Sequence, residues 1–184
     1  MTGEKPSHPA DDGTTGPAER VEIATPAVAD GPDLYRITRD SGVLDVNSPY
    51  VYLLWCRDFA QTSVVARVDG VTVGFVIGYI RPDAPDTFVV WQVAVDASQR
   101  GGGVAGTLLA RVLDRMLARG VRYLETTITP DNAASIKLFS ALARKRAAEL
   151  TVEELFPAEL FPDAHEGEDL YRIGPFDGAS TSVR

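Results

Sequence analysis

The sequence predicts a single α/β domain, and three observations carry that expectation. Strand and helix periods alternate in the second half of the chain. An apolar run at 88–95 leads to Leu108, Leu109, Val112, Leu113 and Met116 at helical spacing, then to a second strand at 121–129. A dense glycine turn, Arg100-Gly101-Gly102-Gly103-Val104-Ala105, joins the first of these strands to the helix. The chain has 184 residues, 45% hydrophobic and 24% charged, which suits one domain with a substantial core.

Residues 1–33 are rich in proline, glycine, alanine and acids, and are expected to be a mobile tail that includes His8. Residues 34–174 form the expected domain and 175–184 a flexible C-terminus. The domain opens with an expected short strand, Leu34-Tyr35-Arg36-Ile37-Thr38. Asn47 or Ser48 can then cap a helix with Pro49 in its first turn, where a missing amide costs little. Tyr50, Leu53, Leu54 and Phe59 supply its apolar face. Asp45 precedes the cap, which leaves its carboxylate open to turn chemistry or to a ligand.

Asp69-Gly70 divides 62–68 from 71–80 and predicts a β-hairpin. Gly74 and Gly78 mark a bulge or a close approach in its second arm. Residues 81–86 read as a loop, and 87–95 as a strand interrupted by Trp91 and Gln92. The helix at 105–119 stops at Gly120. Asn132 opens another helix reaching Ala143, 147–153 reads as a strand, and Leu170-Tyr171-Arg172-Ile173 as the terminal one. Between them, 155–169 is an irregular segment, either a covering loop or a lid over a substrate.

Twenty-six acidic against eighteen basic side chains give a formal charge of −8, with no basic patch for a phosphate backbone, so no nucleic-acid partner is expected. No apolar run approaches eighteen residues and no signal-like segment opens the chain, so neither a membrane span nor export is expected, and the cytoplasm is the expected compartment. Cys56 is the single cysteine, which excludes an intrachain disulfide; its apolar neighbours point to a buried, inert thiol. No spacing of histidines and cysteines suggests a metal site.

The glycine turn is where chemistry is expected. Glycine permits positive φ and close approach to a ligand, and the free amides of a first helical turn favour an anion. A Walker loop is excluded, since no Gly-Lys-Ser/Thr follows. Gly101, Gly103 and Gly106 spell the dinucleotide fingerprint, but no early βαβ unit or strand-end acid accompanies them. Arg100, Gly103 and Ala105 also spell Arg-x-x-Gly-x-Ala, and in this the sequence resembles the GCN5-related N-acetyltransferase (GNAT) family.

That resemblance implies a single-domain fold with a mixed central sheet flanked by helices and a splayed central strand. It also implies acetyl-coenzyme A as co-substrate, its pyrophosphate on Arg100, Gly101, Gly102, Gly103, Val104 and Ala105. The main chain of Val93, Ala94 and Val95 would receive the pantetheine and thioester. Asn132 would contact the cofactor, or serve as a helix cap. Where many members carry a tyrosine acid for the departing thiolate, this chain has Phe139.

Longer blocks are similar to one group of the family, the L-2,4-diaminobutyrate acetyltransferases of ectoine biosynthesis. They are 44–56 around Asp45-Val46-Asn47-Ser48-Pro49-Tyr50, 91–96 from Trp91, 126–132, and 165–173 from His165. This implies acetylation of the side-chain (N4) amine of L-2,4-diaminobutyrate and a homodimer. Asp45 and Glu168 would recognise ammonium groups, while Tyr50 and Trp91 orient the substrate. Glu168 would remove the proton, with His165 as second choice. His165 reads otherwise as an ordinary loop residue. Acetylation of another small amine or a peptide N-terminus, or a coenzyme A sensor without turnover, are the alternatives.

Overall fold

The computed structural model describes residues 21–162 and 166–176. Its sheet grows from the expected hairpin. β2 (Val64–Val68) and β3 (Val71–Arg81) meet at Asp69-Gly70, both with positive φ, 50° and 80°, the geometry whose twist suits antiparallel strands. β4 (Ala84–Val95) returns antiparallel to β3. The expected loop at 81–86 shrinks to a turn at Pro82-Asp83, because Arg81 and Ala84 already pair. β5 (Tyr123–Ile128) lies parallel to β4; β7 (Glu168–Ile173) and β6 (Leu150–Phe156) complete the far edge antiparallel. With β1 (Glu22–Ala24) at the near edge the order is β1-β2-β3-β4-β5-β7-β6, a mixed sheet with one parallel contact.

Helices cover both faces. α3 (Val104–Leu117) and α4 (Ala133–Lys145) bury Leu108, Leu109, Leu113, Met116 and Phe139 against Val64, Val76, Phe88 and Leu124. α1 (Gly31–Ser41) and α2 (Pro49–Asp58) bury Leu34, Ile37, Tyr52, Trp55 and Cys56 against Val65, Phe75, Ile77 and Ala94. Adjacent strand residues such as Val64 and Val65 serve opposite cores, as the two-residue period of a pleated strand requires. Burial pushes the Cys56 thiol up to about 12, with Asp30 adding to the effect, so the thiol stays neutral.

The N-terminal third departs from expectation. Among the described residues the first strand starts at Glu22, inside the segment 1–33 expected to be a tail; residues 1–20 lie outside the described residues. Ile23 pairs with Ala66, a contact between segments more than forty positions apart that no local period reveals. Asp30 anchors the stretch: it accepts from Ala27 N at 2.7 Å, Thr72 Oγ1 at 2.7 Å and Arg67 Nη2 at 2.7 Å. Leu34-Tyr35-Arg36-Ile37-Thr38 is helical in α1, not a strand. Leu34, Ile37 and Thr38 share a buried face, Pro32 stands in the first turn, and Gly42 ends the helix at φ 68°.

The buried face of α2 is rotated from the expected one. Tyr52, Trp55 and Cys56 face the sheet, leaving Tyr50 66% exposed and Leu53 at the surface. Near the C-terminus, β6 runs to Phe156, through the start of the segment expected to be irregular. Phe176, beyond the expected boundary at 174, is buried in the α3–α4 core; residues 177–184 lie outside the described residues.

Candidate active site

The site arises where the central strands part. β4 and β5 pair only through Thr87–Tyr123, Phe88–Leu124 and Val89–Glu125; beyond this β5 follows β7 as far as Ile128–Asp169. β4 bulges at the same level. Its register against β3 passes from Ile77–Gln92 to Gly78–Val90, which leaves Trp91 as the extra residue. A side chain at Gly78 would meet the Val89 carbonyl and lie 2.6 Å from the Phe88 ring, so only glycine lets β3 hug this bulge. Val93, Ala94 and Val95 keep β3 on one side, while on the other no described strand pairs with them. That edge offers backbone donors and acceptors to a ligand running alongside.

The free edge leads into the glycine turn. Asp96 caps a short turn by accepting from Ser98 N at 3.2 Å, and it also accepts from Arg36 Nη1 at 2.7 Å, which fastens α1 to the end of β4. The Arg36 hydrogen bond holds the Asp96 carboxyl below the usual carboxylate range. Arg100 Nε donates to Val95 O at 3.2 Å, tying the turn to the strand. Gly101 and Gly103 have φ of 83° and 78°, and Gly103 forms the N-cap of α3. Arg100, Gly101, Gly102 and Gly103 are exposed, Val104 is buried and Ala105 half-buried. Thr107 N bonds Gly103 O at 3.0 Å; the amides before it point out of the helix end, where an anion meets both them and the helix dipole. Asn132 is the N-cap of α4, its Oδ1 accepting from Ser135 N at 3.0 Å.

Across the bulge, on the α2 face, lies a groove of about 920 Å³ lined by Trp55, Tyr79, Trp91, Glu125, Phe156 and Glu168, among others. The rings of Trp55 and Trp91 lie 4.8 Å apart, and Trp91 stays 43% exposed. Glu168 opens β7 opposite Phe156. In the groove wall the buried Glu125 accepts from Arg81 Nη1 at 3.1 Å and Arg172 Nη1 at 2.5 Å, so it is neutralised from two sides.

The structure therefore brings Trp91 and Glu168 together in one groove. Asp45 and Tyr50 are exposed and stand outside its lining, on the approach to α2 and in its first turn. His165 lies outside the described residues. Gln92 is the residue that sequence reasoning missed. It is buried, its Nε2 donates to Asp45 O at 2.9 Å, and it thereby ties the Asp45 segment to β4 beside Trp91. The available signal was a polar amide inside a β-branched run. Phe139 is 1% exposed and sits in the core, and among the described residues no group of histidines, cysteines and acids could hold a metal. No described helix is long and apolar enough to cross a membrane.

A model of the acetyltransferase (GNAT) family matches residues 32–143. The L-2,4-diaminobutyric acid acetyltransferase of Nocardia farcinica is 57% identical over 153 residues, covering 83% of this chain and 79% of that protein. Its namesake from Streptomyces coelicolor is 58% identical over 158 residues, covering 84% and 93%. The diaminobutyrate acetyltransferase EctA of Paenibacillus lautus, solved with its substrate L-2,4-diaminobutyric acid and coenzyme A, has a TM-score of 0.84. It is 40% identical, covering 87% of this chain and 98% of that one. Ard1 from Thermoplasma volcanium, 19% identical with a TM-score of 0.71 and covering 84% and 97%, shares the fold alone. The strand that parts from its neighbour, the glycine turn it feeds and these relatives converge: the chain belongs to the GNAT acetyltransferase family, and within it is similar to the L-2,4-diaminobutyric acid acetyltransferases.

Proposed function

We propose that this protein transfers the acetyl group of acetyl-coenzyme A to the N4 amine of L-2,4-diaminobutyrate, giving N4-acetyl-L-2,4-diaminobutyrate and coenzyme A in ectoine biosynthesis. The observation that carries the reading is the free edge of β4 running from the Trp91 bulge into the glycine turn. A thioester held there has an anion nest at one end and the acceptor groove at the other. The 40%-identical relative solved with that substrate supports the choice of amine.

The pyrophosphate sits on the amides and positive-φ glycines of 100–105, and the pantetheine pairs with Val93–Val95 like a short added strand. Asn132, at the head of α4, stands as a further cofactor contact. A backbone amide at the bulge polarises the thioester carbonyl. The N4 lone pair attacks that carbon, a C–N bond forms, the C–S bond breaks and the sulfur leaves as thiolate, while the surplus proton on the new amide nitrogen passes to that thiolate or to water. An alkyl ammonium is deprotonated in only about one molecule in a thousand at neutral pH, so exposing the lone pair costs roughly 4 kcal/mol without a base. Glu168, directly or through water, accepts that proton, with His165 as second choice. Asp45 and Glu168 receive the substrate's ammonium groups, while Tyr50 and Trp91 fix its orientation. With Phe139 in the tyrosine position, the thiolate leaves without a strong acid, as its own pKa of about 8.5 allows.

The protein acts in the cytoplasm as a homodimer in this reading. β6 is an edge strand exposing Val152, Leu155 and Phe156, with Leu160 beyond it, an apolar strip of the kind that subunits cover. Light scattering giving a monomer at micromolar concentration would remove the dimer and leave the chemistry standing. The chemistry is tested by incubating the protein with acetyl-coenzyme A and diaminobutyrate, ornithine or lysine. Mass spectrometry locates the acetyl group: N4 of diaminobutyrate is expected as the main product, and modification of peptides or unrelated amines alone would overturn the assignment.

A further inference from the structure

A second cavity lies at the β1 edge of the molecule and shares no lining residue with the acceptor groove. α3 and the turn after it carry Arg111, Arg115 and Arg119 at one-turn spacing, where like charges repel. The chain has twenty-six acids for eighteen bases, yet no carboxylate among the described residues lies within ion-pair distance of any of the three. Arg115 is the most enclosed. Its Nη1 donates to Thr25 Oγ1 at 3.0 Å and its Nη2 to Ser63 O at 2.5 Å, both uncharged, and its buried Nε has no acceptor among the described residues. Burial lowers its pKa, and the neighbouring Arg119 and Arg111 act in the same direction. An enclosed cation of this kind is short of a counter-charge.

The cavity beside it measures about 440 Å³. Arg111 and Arg115 form one wall, and Ile23, Ala24 and Val64 supply apolar surface. The acid at its rim, Asp114, is already paired with Arg146 at 2.5 Å. We propose that this cavity binds a small aliphatic carboxylate. Its planar anion would meet the guanidinium groups of Arg111 and Arg115, whose flat geometry matches a carboxylate. Its hydrocarbon body would cover the apolar wall, which a fully hydrated inorganic anion could not exploit. A ligand here would link β1, β2 and α3 and compensate the stranded charge.

The test uses the full chain saturated with coenzyme A, so that the glycine turn is already filled. Thermal melts are run in rising sodium propionate, with sodium chloride and sodium sulfate at matched ionic strength as controls. Propionate is expected to raise the melting temperature above both controls. Arg115→Gln and Arg111→Gln should each weaken propionate binding about tenfold, the loss of one charge-assisted contact. Arg111 is exposed, so its variant remains informative if Arg115→Gln does not fold. Coenzyme A affinity should not change in either variant. No rise over chloride, a larger rise with sulfate, or a propionate response unchanged in Arg111→Gln would each overturn the proposal.

Discussion

The two sides of the cleft are built on different plans. On the proposed cofactor side the groups on offer are main-chain atoms within one continuous stretch, 93–105, where Arg100 ties the glycine turn to the end of β4. On the acceptor side the groove is assembled from α2, the β3–β4 hairpin, β5, β6 and β7, and its polar groups are side chains set by long-range packing. The first plan makes a site that a few glycines can specify. The second makes one whose selectivity depends on how distant segments meet, which suits discrimination between amines.

If this contrast holds, the largest loss should come from the backbone. Gly103→Val forces a β-branched residue to φ 78°; a Cβ there meets no protein atom within 4 Å, so the effect falls on backbone conformation and ligand. Acetyl-coenzyme A binding should weaken about a hundredfold or more, and unchanged affinity by calorimetry would break the contrast at its firmer end. Next comes Glu168→Gln, for which kcat should fall about a hundredfold or more while acetyl-coenzyme A binds as before. Near-normal turnover across a full pH profile would remove Glu168 as the base.

Asp30→Ala probes a different link, from sequence to stability. Burial raises the Asp30 carboxyl pKa, but the bonds from Arg67, Thr72 and Ala27 outweigh it, and the net shift is downward. A lowered folded pKa stabilises the fold above the ordinary carboxylate range, and that contribution disappears as pH falls through the folded value. Removing Asp30 also strands Arg67. We expect a loss of about 3 kcal/mol at pH 7 by urea unfolding, shrinking below about pH 4. A gap independent of pH would show that the ion pair does not act as described. The smallest effect is expected for Gln92→Leu: KM for diaminobutyrate should rise about fivefold, the worth of one hydrogen bond holding the Asp45 segment, with KM for acetyl-coenzyme A unchanged. Equal changes in both would place Gln92 in the common scaffold.

Legibility in the sequence follows the same division. The hairpin at Asp69-Gly70, the glycine turn and α3 are local features, since their glycines and helical spacing fix backbone geometry wherever the segment lies. α1 is hard to see in the sequence because Leu34-Tyr35-Arg36-Ile37 looks like a short strand until Pro32 and Gly42 are weighed as its ends. The position of α2 is legible in the sequence but its buried face is not: Tyr50, Leu53, Tyr52 and Trp55 are all apolar enough to face a core, and only packing with Phe75 and Ile77 decides among them.

By itself the sequence determined the features whose cause lies within a few residues: the alternation of strand and helix, the glycine turn with its positive φ at the head of α3, and the blocks that mark the family. Tertiary structure alone decided that β1 and Asp30 belong to the fold, that β4 parts from β5 after Val89, and that Trp91 and Glu168 share one groove. The reason is physical. Positive φ and helical period are properties of a short chain segment, whereas a strand's free edge or a buried carboxylate's partner exists only once segments far apart in sequence have packed together.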